Sequence, residues 1–301
     1  MEDGELDIGP YFERLSNWRR WGADDVAGTL NLLGPAEVKA ASALVQEGVT
    51  VSCSRTMRPA GTSSYLHFVS RSGEAVEEEG FATAADWFGV ACHGIEHTHL
   101  DAHSHVFWDG RMYNDRPAAL CTTEHGAVAG GIEPAFGGIV GRGILFDGPA
   151  ALGVDWLAPG QAIEEADLDR WFEAAGVEVQ PGDLLFVRTG RDRWEDAGER
   201  TDIRRGFPGL RATCLPWLRR HDISVLITDL IADVVPSGTQ ARLPVHAVAI
   251  VALGMWVVDN AALGPLADAC ASRGRHAFSA TLVPLALANA TGCPVNPVAT
   301  F

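Results

Sequence analysis

ACHGIEHTHLDAHSHVFWDG, residues 91–110, carries five of the ten histidines of this 301-residue chain, and they crowd around one Asp. His93, His97, His99, His103, His105 and Asp101 all stand at odd numbers. Successive side chains of an extended strand alternate faces, so residues spaced by two share one. If residues 97–101 are extended, His97, His99 and Asp101 converge. Imidazoles beside a carboxylate suit Zn²⁺, Mn²⁺ or Fe²⁺ better than Mg²⁺ or Ca²⁺, which prefer oxygen shells. The spacing therefore predicts a strand that carries half of a metal site. The plainer reading is a polar strand edge, or a helix with scattered histidines.

Working outward, WFGVA (87–91) reads as an apolar strand leading into this run. Apolar or β-branched runs predict further strands at VTVSCS (49–54), RGILFDG (142–148), PGDLLFVRTG (181–190), ISVLITD (223–229) and WVVDN (256–260). SATLVPLAL (279–287) reads as the last strand. Helical spacing predicts a helix opening at Pro35 and stopping at Gly48, and others at 162–176, 214–222 and 243–255. Strands and helices alternate without repeat or linker. That argues one α/β domain over residues 1–301, built on a mixed sheet. The acidic segment SRSGEAVEEEGFA (70–82) reads as a solvated loop or hairpin tip.

Composition narrows the partners. A net charge of −16 disfavours nucleic acid and anionic membrane, which attract Lys/Arg patches. It leaves a small-molecule substrate open, because a bound ion dominates the local field. Six cysteines are scattered and none forms CxxC, which is reduced, cytoplasmic usage rather than a disulfide framework. Cys92 adjoins the histidine run, but its even number puts it on the other strand face, where a small buried residue is the better reading. The acidic N-terminus lacks the apolar core of a signal peptide. No run of about 18 apolar residues suggests a membrane span. A cytoplasmic location is expected.

One strand supplies two or three ligands, so others must come from a distance. His246 and Asp259 are the strongest candidates. His246 follows Leu243-Pro244 in an apolar neighbourhood, where a capping or core role is the alternative. Asp259 ends WVVDN, where a turn-forming role is the alternative. Asp229 and Asp233 are weaker candidates, Asp229 being also suited to capping a turn. The remaining histidines (67, 125, 221 and 276) read as structural or exposed. Trp108 is placed to wall a pocket, whereas the other aromatic residues suit the core.

HTHLDAHSH (97–105) resembles the signature H-x-G-T-H-x-D-x-P-x-H of the metal-dependent cyclase family, which includes bacterial kynurenine formamidase, isatin hydrolase and a dienelactone hydrolase. Segments 17–33, 93–114, 182–191, 243–263 and 291–301 are similar, in order, to blocks of that family. The resemblance implies a compact α/β domain with a swivelling β/β/α arrangement, assembled as a homo-oligomer, a dimer or tetramer. It implies metal-ligand roles for His99, Asp101 and His246, and a proton donor and acceptor role for His105. The chain departs from the family at four places, one of them being His97, which stands where the pattern has Gly. Ile95 stands where the first ligand histidine belongs, and His97, or failing that His93, is available to replace it. His103 replaces a Pro. Asp259 matches a bridging Glu only with one residue of offset, so one ion, Zn²⁺ or Mn²⁺, is the expectation.

The implied chemistry is hydrolysis of a C–N or C–O bond in a small amide, lactam, lactone or ester. A divalent ion lowers the pKa of bound water to roughly 7, and His105 would relay the proton. Two other readings remain at this point: a lyase, dehydratase or ring-closing enzyme of a natural-product pathway, and a non-catalytic small-ligand binder.

Overall fold

The computed structural model describes residues 5–58, 64–73, 80–199 and 202–301. Its longer strands, in chain order, are β1 (Thr50–Ser52), β2 (Tyr65–Arg71), β3 (Ala85–Val90), β4 (His99–Asp101), β5 (Ile139–Asp147) and β6 (Leu184–Arg188). They continue as β7 (Val225–Thr228), β8 (Trp256–Asp259), β9 (Ala277–Leu282), β10 (Gly292–Pro294) and β11 (Val298–Thr300). Nine of these form one mixed sheet in the order β1-β11-β9-β5-β6-β7-β8-β4-β10. β5, β6, β7 and β8 run parallel. All other neighbours are antiparallel.

The parallel strands are apolar along their length because helices and loops cover both faces. In β6, Leu184 and Phe186 enter one core with Leu145, Ile227 and Val258, while Leu185 and Val187 enter the other with Phe146, Leu226 and Val257. The helix Gly264–Arg273 closes the first core through Leu266 and Cys270. The helices Glu165–Ala174 and Leu215–Arg220 close the second through Phe172 and Trp217. This is the α/β architecture expected from the alternating pattern.

Several elements differ from their sequence reading. The helix opening at Pro35 stops at Ser42 rather than Gly48; Ala41 is its one buried residue, too little tertiary support for more turns. The run 243–255 makes a single α-turn, Pro244–His246, and continues as a wider π-helical turn from Ala247 to Ala252. The strand beginning near 279 stops at Leu282, since Pro284 has no N–H for a ladder. It is not the last: β10 returns to pair with β4, and β11 inserts between β1 and β9. WFGVA does form a strand, β3, but among the described residues it pairs only with β2, in a separate hairpin. Of the acidic segment 70–82, residues 74–79 lie outside the described residues. Among the described residues no helix is long and apolar enough to cross a membrane. All six cysteines are free thiols.

Candidate metal centre

His99 and Asp101 sit at the two ends of β4, so they share one face, while Leu100 between them enters the core on the other. The antiparallel register sets Asp259 of β8 opposite His99, and Val257 opposite Asp101. Residues paired across a ladder project from the same face, which brings Asp259 beside His99. His246 descends onto that face from the turn after Pro244, held there by Val245 and Val248, which pack in the same core as Val257. All four residues are buried, none more than 3% exposed.

The donor atoms converge. His99 Nε2 lies 3.4 Å from Asp101 Oδ1. His246 Nε2 lies 3.1 Å from Asp259 Oδ2 and 3.8 Å from Asp101 Oδ2. The ligand atoms of His99, Asp101 and Asp259 all fall within 4.8 Å of one another, as do those of His93, Asp101 and His105. Tetrahedral donors about 2.0–2.2 Å from an ion stand roughly 3.4 Å apart, so the spacing fits a divalent cation. Asp101 Oδ2 is buried and has no hydrogen-bond partner among the described residues. That costs about 1–3 kcal/mol or more for a charged group, and a cation would relieve it.

Each buried imidazole is tethered by its outer nitrogen. His99 Nδ1 donates to the His97 carbonyl at 2.8 Å. His246 Nδ1 meets Asp233 Oδ2 at 2.5 Å. Asp233, fully buried, also accepts the N–H groups of Val245 and His246. Outer partners of this kind fix the ring and leave the inner nitrogen to face an ion.

The other residues singled out from the sequence separate. The strand begins only at His99, so the alternation that would align His97 fails there. His97 Nε2 instead lies 3.2 Å from Ser64 Oγ, and the ring joins neither donor group. His103 lies beyond the strand's end; its Nε2 donates to the Gly254 carbonyl and its ring packs between Tyr113 and Trp256. A turn in which the His105 N–H donates to Ala102 O folds His105 back, placing its Nε2 3.9 Å from Asp101 Oδ1 with the ring 30% exposed. Asp229 accepts the N–H groups of Thr189, Gly190 and Arg191, a structural role. Trp108 stacks on Phe12 at 4.6 Å. Two residues that meet here carry little signal in the sequence. Nothing in TDLIADVV marks Asp233 as the partner of His246. His93 lies outside the strand, and Gly94, at a φ of +128°, bends the chain between the two.

Burial and charge set the protonation states. Burial alone would lower His99, but Asp101 and Asp259 outweigh it and hold it at about 9. Burial also opposes protonation of His246, yet Asp259 and Asp233 raise its pKa well above the usual value. Burial pushes His105 down to about 4, with Asp101 opposing and the neighbouring imidazoles adding to the shift. Burial would raise Asp101, but the histidines around it hold it well below the usual carboxylate range. In the metal-free chain at neutral pH the centre thus presents an ionised Asp101, protonated His99 and His246, and a neutral His105.

Residues 87–232 match the family described as "Putative cyclase". The whole chain is similar to a crystal structure of a novel cyclase, at 28% identity and a TM-score of 0.86, covering 96% of this chain and 100% of that one. It is similar to an isatin hydrolase bound to the product analogue thioisatinate, at 16% identity and a TM-score of 0.57, covering 89% and 97%. It is also similar to a predicted metal-dependent hydrolase from Bacillus stearothermophilus, at 14% identity and a TM-score of 0.54, covering 84% and 98%. The last two likenesses are of fold. No curated protein matches the sequence. The cyclase-family resemblance read from the motif blocks, and the α/β fold it implies, are borne out.

Proposed function

We propose that this cyclase-like chain is a metal-dependent hydrolase of a small cyclic or aryl amide, lactam, lactone or ester. One observation carries the reading: two tethered imidazoles and two carboxylates meet in a buried site at Asp101, whose Oδ2 has no hydrogen-bond partner among the described residues. His99, Asp101, His246 and Asp259 would hold one divalent ion, Zn²⁺ or Mn²⁺. Bound there, such an ion would polarise a carbonyl and lower the pKa of water. The protein's part is to position the reactants and move the proton. His105 is part-exposed and its Nε2 lies 3.9 Å from Asp101 Oδ1, so it stands where it can take a proton from the attacking water and return it to the leaving nitrogen or oxygen. The fold likeness to an isatin hydrolase and a predicted metal-dependent hydrolase supports hydrolysis. We also propose a cytoplasmic homo-oligomer, dimer or tetramer, acting on a small molecule and not on nucleic acid or membrane; the net charge of −16 supports the last point.

The test is elemental analysis of wild type and His99→Ala, followed by product masses from lactones, lactams and aryl amides. About one Zn or Mn per chain, lost in the variant, is the expected result, with ring-opened products one water heavier than a lactone or lactam, or two fragments of an aryl amide whose summed mass is one water above the substrate. A chain that takes up no metal on reconstitution overturns the proposal. Turnover without gain of water overturns hydrolysis in favour of a lyase or ring-closing reaction.

A further inference from the structure

The geometry points to His93, a loop residue, as a metal ligand of this centre, in place of a histidine at position 95 or 97. The inference rests on the proposed reading of the centre as a metal site.

His93 Nδ1 lies 2.9 Å from Asp101 Oδ1, on the side of the carboxylate that His99 also approaches. Its outer nitrogen, Nε2, is 3.1 Å from Thr291 Oγ1. It therefore has the arrangement of His99 and His246: one nitrogen anchored outward, the other aimed at Asp101. Its ring meets His99 edge-on at 5.2 Å and stacks on His105 at 3.8 Å, within 6° of parallel. These contacts leave the ring little freedom to turn away.

The chain makes room for this ring. Gly292 of β10 stands opposite Asp101 in the register. A Cβ at Gly292 would lie 2.5 Å from His93 Cε1 and 2.7 Å from the Leu100 carbonyl. The loop is fastened on its far side as well. Asn260 Nδ2 donates to Gly94 O at 2.7 Å, and Arg191 Nη2 donates to Ile95 O at 2.8 Å. The alternatives at 95 and 97 are spent elsewhere. Ile95 packs against an apolar cluster that includes Trp194, Leu230 and Ile231. His97 is engaged with Ser64, which also bonds Glu96.

A competing role is that His93 only steadies Asp101 by a hydrogen bond. Cobalt(II) titration against a competing chelator, with the visible spectrum recorded, separates the two without reference to turnover. His93→Asn keeps a side-chain N–H near the Nδ1 position but loses the imidazole. The expected result is that His93→Ala and His93→Asn both weaken cobalt binding by more than the roughly 10–100-fold that losing an outer partner costs, and both alter the visible bands. Gly292→Ala, which removes no donor atom, is expected to change the bands in the same direction, whereas His97→Ala leaves affinity and spectrum as in wild type. Wild-type affinity and spectrum in His93→Asn would overturn the assignment, as would loss of cobalt in His97→Ala. If the wild-type chain binds no cobalt, the metal reading itself fails along with this inference, a result distinct from the other two.

Discussion

His97, His99, Asp101 and His103 share the parity that an extended chain would place on one face, yet only His99 and Asp101 reach the centre. The strand that imposes alternation is three residues long, and outside it each histidine follows its own turn. Part-exposed at the edge of the centre, His105 is the residue placed to move a proton in the proposed reaction. His105→Ala is expected to lose about 10²–10⁴ in kcat while keeping its metal, checked by steady-state kinetics beside elemental analysis. Loss of metal in that variant would make His105 a ligand instead. A second prediction concerns pH. In the metal-free chain His99, which burial alone would lower, is held at about 9 by Asp101 and Asp259, against an unfolded value of roughly 6.5. A group raised on folding stabilises the fold fully below its unfolded pKa and loses that contribution as pH climbs through the folded value. The metal-free protein is therefore expected to melt at a lower temperature near pH 9 than near pH 6, as calorimetric scans would show. Metal uptake at pH 7 must displace this proton, so its titration heat should change with the ionisation heat of the buffer.

At the scale of elements, the centre depends on one antiparallel pairing and one irregular helix. A shift of one residue between β4 and β8 would send Asp259 to the opposite face from His99. The helix that delivers His246 starts at Pro244 and widens into π-helical turns at once, a distortion found often at functional sites. Asp233 ties the start of this helix to the ring of His246 through three hydrogen bonds. Asp233→Asn is expected to weaken metal binding by about 10–100-fold with little loss of secondary structure, measured by chelator competition and circular dichroism. Unchanged affinity would show that Val245 and Val248 alone hold His246 in place.

For the whole molecule, the β2–β3 hairpin stands out because it belongs to no larger sheet and exposes apolar side chains. Leu66, Phe68, Trp87 and Phe88 are each about half exposed, at 56%, 54%, 48% and 58%, and Phe68 stacks on Trp87. Leu66, Phe68 and Trp87 project from one face of the hairpin and Phe88 from the other; an isolated two-stranded hairpin is marginally stable in water, and exposed apolar side chains on both its faces suit a contact surface. Light scattering is expected to find a dimer or tetramer. The double variant Trp87→Glu, Phe88→Glu is expected to shift it to smaller species without changing metal content. A wild-type monomer at micromolar concentration would overturn the homo-oligomer proposal.

Much of this protein was legible in the chain alone. The apolar runs at β5, β6, β7 and β8 and the helical run at 165–174 are strong local patterns, because a strand buried on both faces and an amphipathic helix each leave a periodic trace. The crowding of imidazole and carboxylate between 93 and 105 likewise pointed to a candidate metal site. Tertiary structure decided which of those residues meet. Asp259 reaches His99 only through a cross-strand register, His246 only through packing, and Asp233 only through the turn it anchors. His93 comes over Asp101 because Gly94 bends the chain and Gly292, almost two hundred residues away, leaves space for its ring. Contacts that depend on distant backbone have no local periodicity to betray them, so they appear only once the sheet is assembled.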